Sequence, residues 1–170
     1  MSHDKLLKLV LSALFAALCC VATMLIHIPM PATNGYINLG DGMVLLGAFL
    51  LGPVYGFAAG GLGSMLADIL LGYASYAPGT FIIKGITALI AALIVRSARE
   101  RRGALISGAV IGEIFMVLGY FAYESLALGY GLAAAASIPG NAIQGAAGIA
   151  VSLVVYKALR NVPFIKKLSY

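Results

Sequence analysis

The sequence predicts an all-α integral membrane protein with six transmembrane helices and with both termini in the cytoplasm. Of the 170 residues, 62% are hydrophobic and 10% are charged, whereas soluble domains carry roughly 25% charged residues. Each bilayer crossing takes about 20 apolar residues. We therefore expect residues 1–170 to form a single multi-pass domain in the cell membrane.

The apolar segments place the six spans at residues 6–28, 39–51, 53–72, 79–96, 104–128 and 138–157. Gly52-Pro53 separates the second span from the third, because glycine ends helices and proline suits the first position of a helix. The second span would be roughly 20 Å long, against about 30 Å of hydrocarbon. It must therefore pack against its neighbours or stop short of one interface.

The basic residues indicate the orientation of these helices. With the N-terminus inside, Lys84 is the only one of the eleven basic residues that does not lie on the cytoplasmic side. The others are Lys5, Lys8, Arg96, Arg99, Arg101, Arg102, Lys157, Arg160, Lys166 and Lys167. This distribution follows the positive-inside rule. It also explains the net charge of +5 without a nucleic-acid partner.

Several polar residues lie within the predicted spans, where a charged side chain costs roughly 2.5–3.5 kcal/mol. Helical spacing puts them about one or two turns from the outer ends of their helices. This group consists of Asp68, Lys84, Glu124, Asn141 and Gln144, while Glu113 lies near the midplane. Tyr76 and Tyr120 belong to a set of tyrosines at the same outer end.

Two interpretations of this convergence remain open. The first is an outer pocket in which polar and aromatic side chains bind a small planar ligand. The second is internal pairing of Lys84 with Asp68 or Glu124, supported by hydrogen bonds between helices. In the first case the ligand is not strongly anionic, because the carboxylates outnumber Lys84.

Asp41 lies at the start of the second span and also has two interpretations. The segment Asn38-Leu39-Gly40-Asp41 resembles a helix N-cap followed three residues later by a carboxylate. Structural capping and a place in the pocket are both open for Asn38 and Asp41.

Enzymatic activity is not expected from the motifs. The chain has no Gly-x-x-x-x-Gly-Lys-[Ser/Thr] phosphate-binding loop. The residues before Asp41 also lack the first glycine of the Gly-x-Gly-Asp pattern of intramembrane aspartyl proteases. Cys19 and Cys20 are adjacent in a predicted apolar helix and indicate packing, not a metal site or a disulfide. We expect no catalytic residue, metal or cofactor.

The sequence resembles the substrate-binding S components of energy-coupling factor (ECF) vitamin transporters over nearly its whole length. The resemblance is most specific in three segments, Tyr36-Ile37-Asn38-Leu39-Gly40-Asp41, Leu51 to Phe57, and Ala67 to Tyr73 leading to Ile83-Lys84-Gly85. These segments most resemble the branch assigned to hydroxymethylpyrimidine or pyridoxine. Riboflavin and thiamin branches are the neighbouring alternatives, and a stand-alone membrane facilitator is the alternative outside the family.

The resemblance implies a subunit that captures a small vitamin outside the cell and docks on a membrane scaffold subunit served by two ATPases. The first helix would dock through an Ala-x-x-x-Ala face, which Ala13 and Ala17 provide here. Small residues four apart allow close approach between helices. The residues expected to contact the ligand are Asn38, Asp41, Asp68, Tyr76, Lys84, Tyr120, Glu124, Asn141 and Gln144.

Overall fold

The computed structural model describes residues 3–30, 33–98 and 102–166. Six long or medium helices account for most of them: α1 (His3–Leu25), α2 (Gly40–Leu51), α3 (Pro53–Leu71), α4 (Ala77–Ser97), α5 (Arg102–Ala122) and α6 (Ile138–Leu159). A short helix, α7 (Pro163–Lys166), follows α6. The six predicted spans are thus confirmed as helices, with boundaries that differ by a few residues.

Within the described residues, five helical segments are long and apolar enough to cross a membrane. The remaining apolar helix, α2, has 12 residues, and 11 of them are buried. It packs against α1, α3, α4 and α6. This central position explains how so short a helix is accommodated, because its neighbours shield it from lipid on every side.

The boundary between α2 and α3 follows the prediction from Gly52-Pro53. Gly52 has a φ angle of 79°, which favours glycine, and Pro53 opens α3. Gly72 ends α3 in the left-handed conformation, with a φ angle of 87°. These two glycines allow α2, α3 and α4 to follow one another through tight turns.

The connection between α1 and α2 contains an antiparallel hairpin that the sequence did not predict. Strand β1 (His27–Met30) pairs with β2 (Gly35–Asn38), and His27 lies opposite Asn38. Because His27 to Met30 form a strand, α1 ends at Leu25 and not at residue 28. The paired backbones satisfy each other's hydrogen-bonding groups at the end of the bundle.

The end of α5 changes its winding. Residues Tyr123–Ala127 form a π-helical turn, and Gly131–Ser137 form a 3₁₀ segment that leads into α6. A π turn shifts the angular positions of the residues it contains relative to the preceding α-helix. Glu124 lies in this turn and is buried.

Candidate functional site

A small cavity lies at the hairpin end of the bundle, between β1, β2 and helices α1, α3, α4, α5 and α6. Its volume is about 20 Å³, enough for one or two water molecules. It is lined by Thr23, Met30, Gly35, Tyr36, Asn38, Ser64, Asp68, Tyr76, Thr80, Lys84, Tyr120, Glu124, Asn141 and Gln144. Eight of the nine predicted ligand-contacting residues are therefore in its wall, and Asp41 lies behind it.

A buried ion pair supports the inner wall of the cavity. The ammonium group of Lys84 contacts Oδ1 of Asp41, and the two side chains are 2% and 0% exposed. Lys84 is thus paired internally, but the interpretation that its partner is Asp68 or Glu124 is wrong. The error has a physical reason: α2 packs directly against α4 in the centre of the bundle, which brings Asp41 to Lys84.

Gln144 extends this ion pair to α6 and to the hairpin. Its Nε2 donates to Oδ2 of Asp41 at 2.7 Å, and its Oε1 accepts from the backbone N–H of Asn38 at 2.7 Å. The two oxygens of Asp41 thus have separate donors, one charged and one neutral. A buried carboxylate is stabilised by this kind of complete hydrogen bonding.

The capping interpretation of Asp41 is also wrong. The residue at the N-cap of α2 is Leu39, which makes no side-chain cap hydrogen bond. Asn38 does contribute locally, because its Oδ1 accepts from the backbone N–H of Gly40 at 2.8 Å. Asp41 instead points into the bundle, since an ion pair with Lys84 satisfies both buried charges.

Glu124 holds three segments together at the rim of the cavity. Its Oε1 lies 3.1 Å from the Tyr76 hydroxyl, and its Oε2 lies 2.5 Å from Oγ of Ser137. The Tyr76 hydroxyl also lies 2.6 Å from the carbonyl oxygen of Thr33, in the hairpin connection. Burial, followed by the Glu124 charge, raises the pKa of Tyr76, so the phenol stays protonated and donates.

Asp68 is the carboxylate in the wall that keeps an oxygen without a partner. Its Oδ1 accepts from the hydroxyl of Tyr36 at 2.5 Å. Its Oδ2 meets no hydrogen-bond donor within the described residues, although the side chain is only 2% exposed. Burial, followed by the Asp68 charge, raises the pKa of Tyr36, so Tyr36 remains a donor.

Four residues of the wall that carry hydroxyl groups, Thr23, Tyr36, Ser64 and Thr80, were not predicted as site residues. Oγ1 of Thr23, on α1, is buried without a hydrogen-bond partner among the described residues. Oγ1 of Thr80, on α4, lies 3.0 Å from the hydroxyl of Tyr120. Thr80 lies one helical turn before Lys84, and that spacing was the available signal. For Thr23 no sequence signal existed, because single hydroxyls are common in membrane helices.

Glu113 does not reach this cavity. It lies in a separate groove between α5 and α6, where its carboxylate packs against Gly145. Both carboxylate oxygens are buried without a hydrogen-bond partner within the described part of the chain. The predicted docking residues Ala13 and Ala17 are exposed on α1, away from the cavity.

The ion pair between Lys84 and Asp41 is expected to stabilise the folded protein. Replacing Lys84 with methionine leaves the Asp41 carboxylate buried without its cation, and breaking a buried pair in this way costs about 3–5 kcal/mol. We expect Lys84→Met to lower the midpoint of thermal unfolding in detergent, measured by circular dichroism. The double variant Lys84→Met/Asp41→Asn should recover much of the loss, because no unpaired charge remains. A single variant as stable as the parent would contradict this role.

The fold and the site can be compared with known proteins. The chain matches the family model described as ECF-type riboflavin transporter, S component, over residues 4–161. A Pyrococcus woesei sequence named "Uncharacterized protein in gap 3'region" is 41% identical over 131 residues, which cover 77% of this chain and 86% of the relative. The solved structure of the S component of a bacterial ECF transporter superposes with a TM-score of 0.73. That structure is 24% identical and is covered over 98% of its length, while 94% of this chain is covered.

The structural match shows a shared fold, and the family match extends from α1 to the end of α6. ECF S components bind a small ligand and work with a membrane scaffold and ATPase subunits. They are transport proteins of the membrane and not enzymes. The chain therefore belongs to the ECF-type riboflavin transporter S component family, and it is a multi-pass, substrate-binding subunit of an ECF transporter.

Proposed function

We propose that this S component captures a small ring-shaped vitamin or vitamin precursor, pyridoxine or hydroxymethylpyrimidine, at the extracellular face. The observation that carries the proposal is the cavity at the hairpin end, which combines tyrosine rings with buried polar atoms that have no hydrogen-bond partner in the described part of the chain. Oδ2 of Asp68 and Oγ1 of Thr23 are two such atoms. Unpaired buried polar groups are costly, so a ligand that hydrogen-bonds to them gains free energy.

The aromatic side chains favour a planar ligand. Tyr36, Tyr76 and Tyr120 line the cavity, and the rings of Tyr36 and Tyr73 lie 4.6 Å apart. Aromatic side chains pack against flat rings, and the hydroxyl groups of these three tyrosines, which bond to neighbouring side chains or backbone, hold the rings in place. Asn141 adds an amide with both donor and acceptor atoms, which suits the hydroxyl groups and the ring nitrogen of a pyridine or pyrimidine.

The cavity must enlarge before it can hold such a ligand. Its volume of about 20 Å³ is far below the roughly 300–1,000 Å³ of small-molecule pockets. The movable parts are at the rim, where Tyr76 and Glu124 connect the hairpin to the turn after α5. We propose that the ligand enters when these rim contacts open and that their closure then covers it.

Riboflavin is the second candidate, because the matching family model is described by that vitamin. Its three fused rings and its side chain need a larger expansion of the same cavity than a single ring does. We therefore rank the single-ring ligands first. Thiamin, with two rings, lies between these cases.

In this proposal, energy for uptake comes from partner subunits. The sequence has no phosphate-binding loop of its own. A scaffold subunit with two ATPases would receive the loaded protein through the face of α1 that carries Ala13 and Ala17. Both alanines are exposed, and they are flanked by Leu14 and Leu18, which are 53% and 43% exposed. This face suits helix-to-helix contact within the membrane.

A binding experiment tests the cavity as the ligand site. Asn141→Ala should weaken binding of the preferred vitamin by roughly 5- to 150-fold, because losing a buried hydrogen bond costs about 1–3 kcal/mol. Isothermal titration calorimetry on purified protein gives the affinity. Ser152→Ala is the matched control, since Ser152 is a buried polar residue on the same helix and is not part of the cavity wall. Unchanged affinity in monodisperse Asn141→Ala would place the ligand elsewhere.

A transport experiment tests the docking face. Ala13→Leu or Ala17→Leu should leave vitamin binding unchanged and abolish uptake in cells, because the added bulk prevents close helix approach. Ala150→Leu is the control, since Ala150 is also exposed but lies on α6. Co-purification of the scaffold and ATPase subunits should fail for the α1 variants only. Normal uptake and assembly by both variants would remove α1 as the docking helix.

A further inference from the structure

The cavity wall has an excess of negative charge. Among its described residues, Lys84 is the one base, and Asp68 and Glu124 are the acids. The ammonium of Lys84 is already paired with Asp41 behind the wall. The charge of Lys84 is thus matched before any ligand arrives, and the two carboxylates in the wall have no cation of their own.

The two carboxylates differ in what they can still bind. Both oxygens of Glu124 have protein partners, through Tyr76 and Ser137. Asp68 has one oxygen bound to Tyr36 and one oxygen, Oδ2, that has no donor at hydrogen-bond distance among the described residues. The Asp68 side chain is only 2% exposed, and buried polar atoms normally have a hydrogen-bond partner. Oδ2 can therefore accept a hydrogen bond from a donor on the ligand.

The aromatic groups near Asp68 also favour positive charge. The face of an aromatic ring attracts cations within about 6 Å of its centre. The ring of Tyr120 already lies 5.4 Å from the ammonium nitrogen of Lys84. The ring of Tyr36 packs against that of Tyr73, and its hydroxyl group donates to Oδ1 of Asp68, so a second aromatic residue belongs to the same part of the wall.

We infer that the ligand of this cavity carries a net positive charge, on a nitrogen in or next to its aromatic ring, and that Oδ2 of Asp68 accepts a hydrogen bond from that nitrogen or pairs with its charge. The inference rests on the proposed function, which places a small ring-shaped ligand in this cavity. Hydrogen bonds between charged partners are shorter and about twice as strong as neutral ones. A cationic ligand also balances a buried carboxylate, which a neutral hydroxyl group does not.

Competition between matched vitamins tests this inference. Pyridoxamine differs from pyridoxine in carrying an aminomethyl group, protonated at neutral pH, in place of a hydroxymethyl group. We expect the parent protein to bind pyridoxamine about 10- to 100-fold more tightly than pyridoxine, as a charged hydrogen bond predicts. Thiamin, a permanent cation, and riboflavin, which is neutral, provide a second pair with larger rings. Calorimetry on the detergent-purified protein measures all four affinities.

The variant Asp68→Asn tests whether Asp68 causes the preference for pyridoxamine over pyridoxine. Asparagine keeps the shape of the side chain and an oxygen that can accept from Tyr36, but it removes the charge. The ratio of pyridoxamine to pyridoxine affinity should fall towards one. Glu113→Gln is the matched control, because Glu113 is also a buried carboxylate with no hydrogen-bond partner among the residues that the structure describes, but it lies outside the cavity wall. The Glu113→Gln variant should show the same ratio of pyridoxamine to pyridoxine affinity as the parent protein.

The outcomes separate the two proposals. If the parent binds pyridoxine or riboflavin at least as tightly as its cationic counterpart, the inference about charge is wrong and the vitamin-binding function stands. If a preference exists but Asp68→Asn retains it, Asp68 is not the acceptor and the inference fails. If neither these four vitamins nor hydroxymethylpyrimidine, measured in the same way, binds to the protein, the proposed function itself is contradicted. Should Asp68→Asn not fold, the two ratios in the parent protein still decide whether the ligand is cationic.

Discussion

The ion pair between Lys84 and Asp41 is the interaction on which the hairpin end of the bundle depends. It joins α4 to the central helix α2, and through Gln144 it also joins α6 and the first residues before α2. Charges buried this deeply are tolerated only when each has a partner of good geometry. The pair therefore fixes the rotation of three helices relative to one another. It also limits the depth of the cavity, because Lys84 lies in the cavity wall and Asp41 lies behind it.

The polar residues around this pair divide into those that bond to other parts of the protein and those that we propose face a ligand. Asp41, Gln144 and Glu124 have their side-chain atoms engaged by other parts of the protein. Oδ2 of Asp68 and Oγ1 of Thr23 have no hydrogen-bond partner within the described residues. In a membrane protein such a division has a clear energetic basis, since an unsatisfied polar group in a low-dielectric region is costly. In the proposed function, a ligand gains hydrogen bonds from the unsatisfied atoms, and the satisfied ones maintain the shape of the cavity.

Much of the fold follows from local features of the sequence. The lengths of the apolar segments predict the helices, and Gly52-Pro53 separates α2 from α3 as expected. The spacing of Asn141 and Gln144 places both in the cavity wall, as one face of a helix requires. The partner of Lys84 could not be predicted in this way. Asp41 follows a segment that resembles a helix cap, and its tertiary contact with α4 overrides that local pattern.

Other features left little or no trace in the sequence. The hairpin has two strands of four residues, one of which contains Pro29, so its composition is that of a loop. Its pairing depends on the two helices that bring its ends together. The π turn after α5 packs against the 3₁₀ segment, and it carries Glu124 at the rim. Thr23 enters the wall because Gly40 allows close approach: a Cβ at Gly40 would lie 2.0 Å from Oγ1 of Thr23.

We propose that the cavity beside the Lys84–Asp41 pair holds a small vitamin. Native mass spectrometry tests it most directly, on protein purified in mild detergent from cells grown with a mixture of vitamins. A single retained species with the mass of a pyridoxine-type, pyrimidine-type or related vitamin is expected. Retention should be lost in a variant with Thr80→Leu, whose added bulk would fill the cavity without touching the ion pair. Protein that retains no small molecule, or that retains the same species when the cavity is filled, would contradict the claim.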